Sequence, residues 1–166
     1  MTITITIACI VISIYLLGLL AIIDMKTRLL PNKYVGGFFA TGIVFNISTN
    51  FQFNTTLDMI IGMVCGGGLL LIVRHFANQA YKRDTLGLGD VKLMGAAGIW
   101  LGLDHIFLAI SIGAFAGLIH GLIYGYYKAK KTGNKINLST LSIPAGPGFI
   151  IGILITEVIK FAGLIM

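Results

Sequence analysis

Two carboxylates stand where an apolar chain offers no ordinary reason for a charge. Asp90 follows Gly87, Leu88 and Gly89 at the head of a glycine-rich apolar segment, and Asp24 closes residues 3 to 23, which carry no charged side chain. An ionised acid inside a bilayer costs about 3 kcal/mol at the centre and less toward the interface, so each needs a use. Brought together, two carboxylates cannot both ionise cheaply. They share a proton, and one can serve as general base toward a water while the other acts as acid toward a scissile carbonyl. The plainer alternatives are an interfacial Asp24 that merely ends a span, and an Asp90 that caps a helix ahead of Val91 or pairs with Lys92.

Other chemistries find less support. No serine sits in a nucleophile-elbow setting, His75, His105 and His120 are scattered, and Cys9 and Cys65 each lie alone in an apolar run. With no CxxC and no Cys/His cluster, neither a metal site nor a cofactor is expected. His120 is expected to be a packing residue on a glycine face, with a proton relay as its alternative.

The elements that must position the acids are membrane helices. The chain of 166 residues is 57% hydrophobic and 11% charged, with a mean hydropathy of +0.95, too little polar surface for a water-soluble domain. Residues 3 to 23 suffice for one crossing, and further apolar runs fall at about 34 to 49, 57 to 73, 88 to 103, 105 to 127 and 143 to 166. The expectation is an all-α, polytopic bundle of about six transmembrane helices forming a single domain over residues 1 to 166. The fourth run, interrupted by Asp90 and Lys92, is the weakest. The first has no basic stretch ahead of it and no small-x-small site before Asp24, so it is expected to stay in the mature protein rather than act as a signal peptide.

Parity then brings the acids to one side. Asp24 ends the first span, Asp90 starts the fourth, and the two crossings between them return the chain to the same face. Basic residues group as Lys26, Arg28 and Lys33; Arg74, Lys82, Arg83 and Lys92; and Lys128, Lys130, Lys131 and Lys135. These occupy alternate loops, which the positive-inside rule places in the cytoplasm with both termini outside. Lys160 falls elsewhere and is expected to snorkel or to pair with Glu157. The net charge of +6 is thereby topology with some attraction to anionic lipid, and nothing in it asks for nucleic acid. Gly113, Gly117, Gly121 and Gly125 recur every fourth residue, and the pairs Gly62/Gly66 and Gly148/Gly152 repeat that spacing. Close packing within the chain is the expected use, with a homodimer seam as its alternative.

Three motifs in order resemble one family. Asp24-Met25-Lys26-Thr27-Arg28-Leu29-Leu30-Pro31-Asn32 is similar to the first aspartate motif of the prepilin peptidases, membrane aspartyl proteases of the GxGD type also called the type IV leader peptidase family. Gly87-Leu88-Gly89-Asp90-Val91-Lys92-Leu93 resembles the second. Ile143-Pro144-Ala145-Gly146-Pro147 is similar to the Pro-x-Gly-Pro segment that opens that family's last helix. The resemblance implies Asp24 and Asp90 as the catalytic pair, with Gly87, Gly89, Lys92, Pro31, Pro144, Gly146 and Pro147 supporting the site. It implies a bacterial inner-membrane enzyme that removes the basic leader of a prepilin or pilin-like precursor at the cytoplasmic face. Larger members carry an N-terminal region with paired CxxC motifs and methylate the new N-terminus, so this chain is expected to be a short form without that activity. The rival reading is a small transporter or channel subunit in which Asp24 and Asp90 bind a cation or proton. Two acids near one face, and no evident inverted repeat, speak against it.

Overall fold

The computed structural model describes residues 2–82, 84–132 and 145–162, and these form helices alone. They are α1 (Thr2–Thr27), α2 (Asn32–Ser48), α3 (Thr56–Tyr81), α4 (Leu88–Thr132) and α5 (Gly146–Phe161). Three stretches, Ile3–Thr27, Thr56–Tyr81 and Leu88–Tyr127, are long and apolar enough to cross a membrane. In lipid a backbone must satisfy its own hydrogen bonds, which is why such a sequence has little choice but helix. The chain is a multi-pass helical membrane protein, and α1 and α3 both run past the apolar stretches from which they were expected.

The helices begin and end for local reasons. Thr55 and Asp58 form a reciprocal cap at the start of α3: Thr55 Oγ1 accepts from the Asp58 amide at 3.2 Å, and Asp58 Oδ2 accepts from the Thr55 amide at 3.1 Å. Pro31, with φ −65°, precedes the first residue of α2, where a fixed φ is no handicap. Lys82 closes α3 in the left-handed region at φ 49°.

The fourth and fifth expected spans are joined as one helix, α4, interrupted at Gly102, whose φ of 68° and ψ of −175° are open to glycine and strained for other residues. The interruption reverses the chain. A Cβ built on Gly66 would lie 2.5 Å from the Met94 carbonyl oxygen and 2.9 Å from Ile106 Cγ1, so those two atoms are close neighbours. A straight helix would hold residues 94 and 106 about 18 Å apart. The two arms of α4 therefore fold back on each other across the end of α3.

Breaking a helix leaves its last carbonyls without partners, and side chains take them here. Asn46 Nδ2 donates to Ile99 O at 3.1 Å and Asn54 Nδ2 to Trp100 O at 2.9 Å. Lys160 Nζ donates to Leu101 O at 2.6 Å and also to Asn54 Oδ1. Lys160 thus neither snorkels nor pairs with Glu157, whose side chain is buried with Oε1 unpartnered among the described residues. The expected i, i+3 pair gives way to a cap on the hairpin, because bare carbonyls in an apolar setting are the stronger demand.

The glycine pairs are consumed inside the chain. Gly62 meets the Gly98 carbonyl and Gly102, while Gly148 and Gly152 meet the second arm of α4 at Ala109, Gly113 and Gly117. Trp100, fully buried, stacks on Phe38 with centroids 5.6 Å apart and donates Nε1 to Phe38 O at 2.9 Å. Gly42 makes the room, since a Cβ there would stand 2.6 Å from that indole nitrogen. His120 is exposed on the second arm of α4, not packed on a glycine face as expected. Gly62→Val is expected to cost about 3 kcal/mol. Its Cβ would meet backbone, 2.6 Å from Gly98 O and 2.8 Å from Gly102 C, and thermal unfolding in detergent will read the loss.

Candidate active site

Asp24 and Asp90 come together at one end of the bundle. Asp24 lies in the last turn of α1 and Asp90 in the first turn of α4, and both are buried, at 5% and 6% exposure. The point of contact is the first residue of α5. A Cβ built on Gly146 would stand 2.5 Å from Asp24 Oδ2 and 3.3 Å from Asp90 Oδ1. The two oxygens are therefore separated by at most the sum of those distances, 5.8 Å. Neither has a hydrogen-bond partner among the described residues. Buried polar atoms ordinarily have partners, so the two oxygens are a candidate site for a small polar molecule.

Glycines frame the pair, Gly146 against Asp24 and Gly87 against Asp90. A Cβ at Gly87 would stand 3.0 Å from Asp90 Oδ2, so the turn before α4 lies directly against the acid. The Gly87 carbonyl accepts from the Asp90 amide at 3.2 Å and opens the helix. Pro147 occupies the second position of α5, where a missing N–H costs nothing. Pro144 lies outside the described residues.

The remaining motif residues hold the surroundings. Lys92 turns away from Asp90 and donates Nζ to Asn32 Oδ1 at 3.0 Å, tying the start of α2 to α4. Gly89 admits Leu30, whose Cβ would lie 2.8 Å from a Cβ at that position. The linker between α1 and α2 thus lies directly against the turn before Asp90. Leu30 is buried and immediately precedes Pro31, so the segment after Asp24 is fastened onto the turn that carries Asp90.

A cavity of about 320 Å³ opens beside the acids and is lined by Asp24, Arg28, Arg74, Gly87, Asp90 and Ala145 among others. It has room for several waters at about 30 Å³ each. Arg28 and Arg74 carried only orientation in the sequence reading. Arg74 directly follows the apolar run 57 to 73, so spacing alone reads it as the end of a span, and its place beside the acids emerges only in the structure.

Among the described residues, helices alone, long apolar spans and two buried carboxylates at one end of the bundle define a membrane protein with a paired-acid site. Comparison with known proteins is more specific. The family model described as the type IV leader peptidase family matches residues 9–122, a stretch that holds both acids and stops short of Gly146. The chain belongs to that family. It is 30% identical over 117 residues to a prepilin leader peptidase/N-methyltransferase of Pectobacterium carotovorum subsp. carotovorum, covering 70% of this chain and 41% of that protein. It is 31% identical over 104 residues to the protein of that name from Escherichia coli (strain K12), covering 63% and 45%. A Neisseria gonorrhoeae protein of the same name is 25% identical over 126 residues, covering 76% and 43%. The chain thus spans less than half the length of these curated relatives. No solved structure matches it.

Proposed function

We propose that this protein is an aspartyl endopeptidase of the bacterial inner membrane that cleaves the leader from a prepilin or pilin-like precursor at the cytoplasmic face, with Asp24 and Asp90 as its catalytic pair. The observation that carries the reading is the convergence of two unpartnered carboxylate oxygens on Gly146, within a chain that belongs to the leader peptidase family.

A water between Asp24 Oδ2 and Asp90 Oδ1 gives up a proton to the ionised member of the pair as its oxygen attacks the scissile carbonyl. The protonated member donates to the carbonyl oxygen, giving a neutral tetrahedral diol. Collapse of the diol returns a proton to the departing amine and releases an acid and an amine. Neither carboxylate is consumed, and the pair ends with the single proton it began with.

The membrane arrangement follows from the hairpin at Gly102. With the two arms of α4 counted separately, six crossings return both termini to one side, and the basic residues in the loops at the acids' end favour the cytoplasm for that end. The first arm, from Leu88 to the break, rises only about 21 Å against a hydrocarbon core of about 30 Å. Asp90 is accordingly recessed within the inner leaflet, the depth at which the junction between a basic leader and an apolar helix would sit.

The test is direct. Purified protein in detergent, incubated with a full-length pilin precursor, is expected to give two products by mass spectrometry, cut at one bond just ahead of the hydrophobic segment. A precursor left intact, or cut at scattered sites, would remove the reading.

A further inference from the structure

One peptide unit beside Asp90 is held at both ends. Arg74, in the last third of α3, donates Nη1 to the Leu86 carbonyl oxygen and Nη2 to Asp84 Oδ1 at 2.7 Å. The other end of that same unit is the Gly87 nitrogen, and Gly87 lies against the acid: a Cβ built on it would stand 3.0 Å from Asp90 Oδ2. The unit is planar, and no cis bond occurs among the described residues, so its C=O and N–H point in opposite directions. Fixing the oxygen therefore fixes Gly87, the residue that lies against the acid.

Asn78, one turn further along the same face of α3, braces the segment from the other side. Its Nδ2 donates to Asp84 Oδ1 at 2.9 Å, and its Oδ1 accepts from the Thr85 amide at 2.8 Å and from Thr85 Oγ1 at 2.9 Å. The two anchors differ in weight. The Arg74 side chain is only 18% exposed and Asp84 is 79% exposed, so their ion pair is screened by solvent and contributes little. The guanidinium bond to the Leu86 carbonyl is sheltered and charge-assisted, the stronger kind.

We propose that Arg74 is a positioning residue for the catalytic pair: by gripping the Leu86 carbonyl it holds Gly87 in place, and through Gly87 aims the Asp90 carboxylate at Asp24. The inference rests on the aspartyl-peptidase reading and adds a residue to it. Arg74 also carries a positive charge on the side assigned to the cytoplasm, and a charge-only role makes a different forecast, because lysine would serve it equally well.

Steady-state cleavage of a pilin precursor by Arg74→Gln and Arg74→Lys separates the two. Arg74→Gln is expected to lower kcat about 30-fold with KM within twofold of wild type and to displace the pH–rate profile. Arg74→Lys, with one head group in place of a fork, is expected to recover part of the loss and to remain at least threefold below wild type. If Arg74→Gln fails to fold, Arg74→Lys carries the test alone. Arg74→Lys at wild-type rate, or Arg74→Gln with an unmoved pH–rate profile, would overturn the proposal. Wild-type protein that leaves the precursor uncut removes the peptidase reading itself, whereas an active wild type with an indifferent Arg74 removes this inference alone.

Discussion

Asp90→Asn is expected to lower kcat for precursor cleavage by about 10³-fold or more, and Asp24→Asn to do the same. The substitution keeps the shape of the side chain and removes its ability to exchange a proton. The two groups are buried, with oxygens at most 5.8 Å apart, and an amide at either position cannot supply the proton exchange that its partner acid needs. Stability should move the other way. Each acid holds a buried oxygen without a partner among the described residues, and a neutral amide relieves the repulsion within the pair. Unfolding of both variants in detergent is expected at or above the wild-type temperature, and this separates a chemical defect from a folded-state one.

Gly146→Ala is expected to lower kcat about 100-fold, the scale of loss that follows a displacement of roughly 1 Å at a reacting group. The added methyl would stand 2.5 Å from Asp24 Oδ2 and 3.3 Å from Asp90 Oδ1. The first of these is closer than a carbon and an oxygen tolerate, so either the Asp24 carboxylate swings out or the start of α5 lifts. Both outcomes part the pair. Gly18 is the control, because a Cβ there meets nothing within 4 Å, and Gly18→Ala is expected to cleave within twofold of wild type. Equal activity in the two variants would mean that Gly146 does not press on the pair.

Much of this architecture was legible in the sequence. Apolar runs located the helices, and the parity of crossings placed Asp24 and Asp90 on the same side before any geometry was known. Even the weak fourth run was marked, since the first arm of α4 is short and ends at Gly102. What periodicity could not convey was who touches whom across the bundle. Lys160 was paired on paper with Glu157, its neighbour one turn back, and instead caps carbonyls exposed by a break some sixty residues earlier. That demand exists only once the hairpin has formed. The close approach of Leu30 to Gly89 depends on how the linker after α1 folds over the start of α4. Arg74 read as an orientation signal because its partners, Leu86 O and Asp84, lie across a turn. Local pattern predicts elements well, and it is blind to contacts made by the ends of those elements.

The account stands on two carboxylates acting through one water as a single device, and the non-additivity of their losses measures that most directly. Single-turnover cleavage of one pilin precursor should be compared for Asp24→Asn, Asp90→Asn and the double variant. The account predicts the same residual rate for all three, because removing either acid already disables the unit. A single variant within tenfold of wild type, or a double variant slower than wild type by the product of the two separate losses, would contradict it.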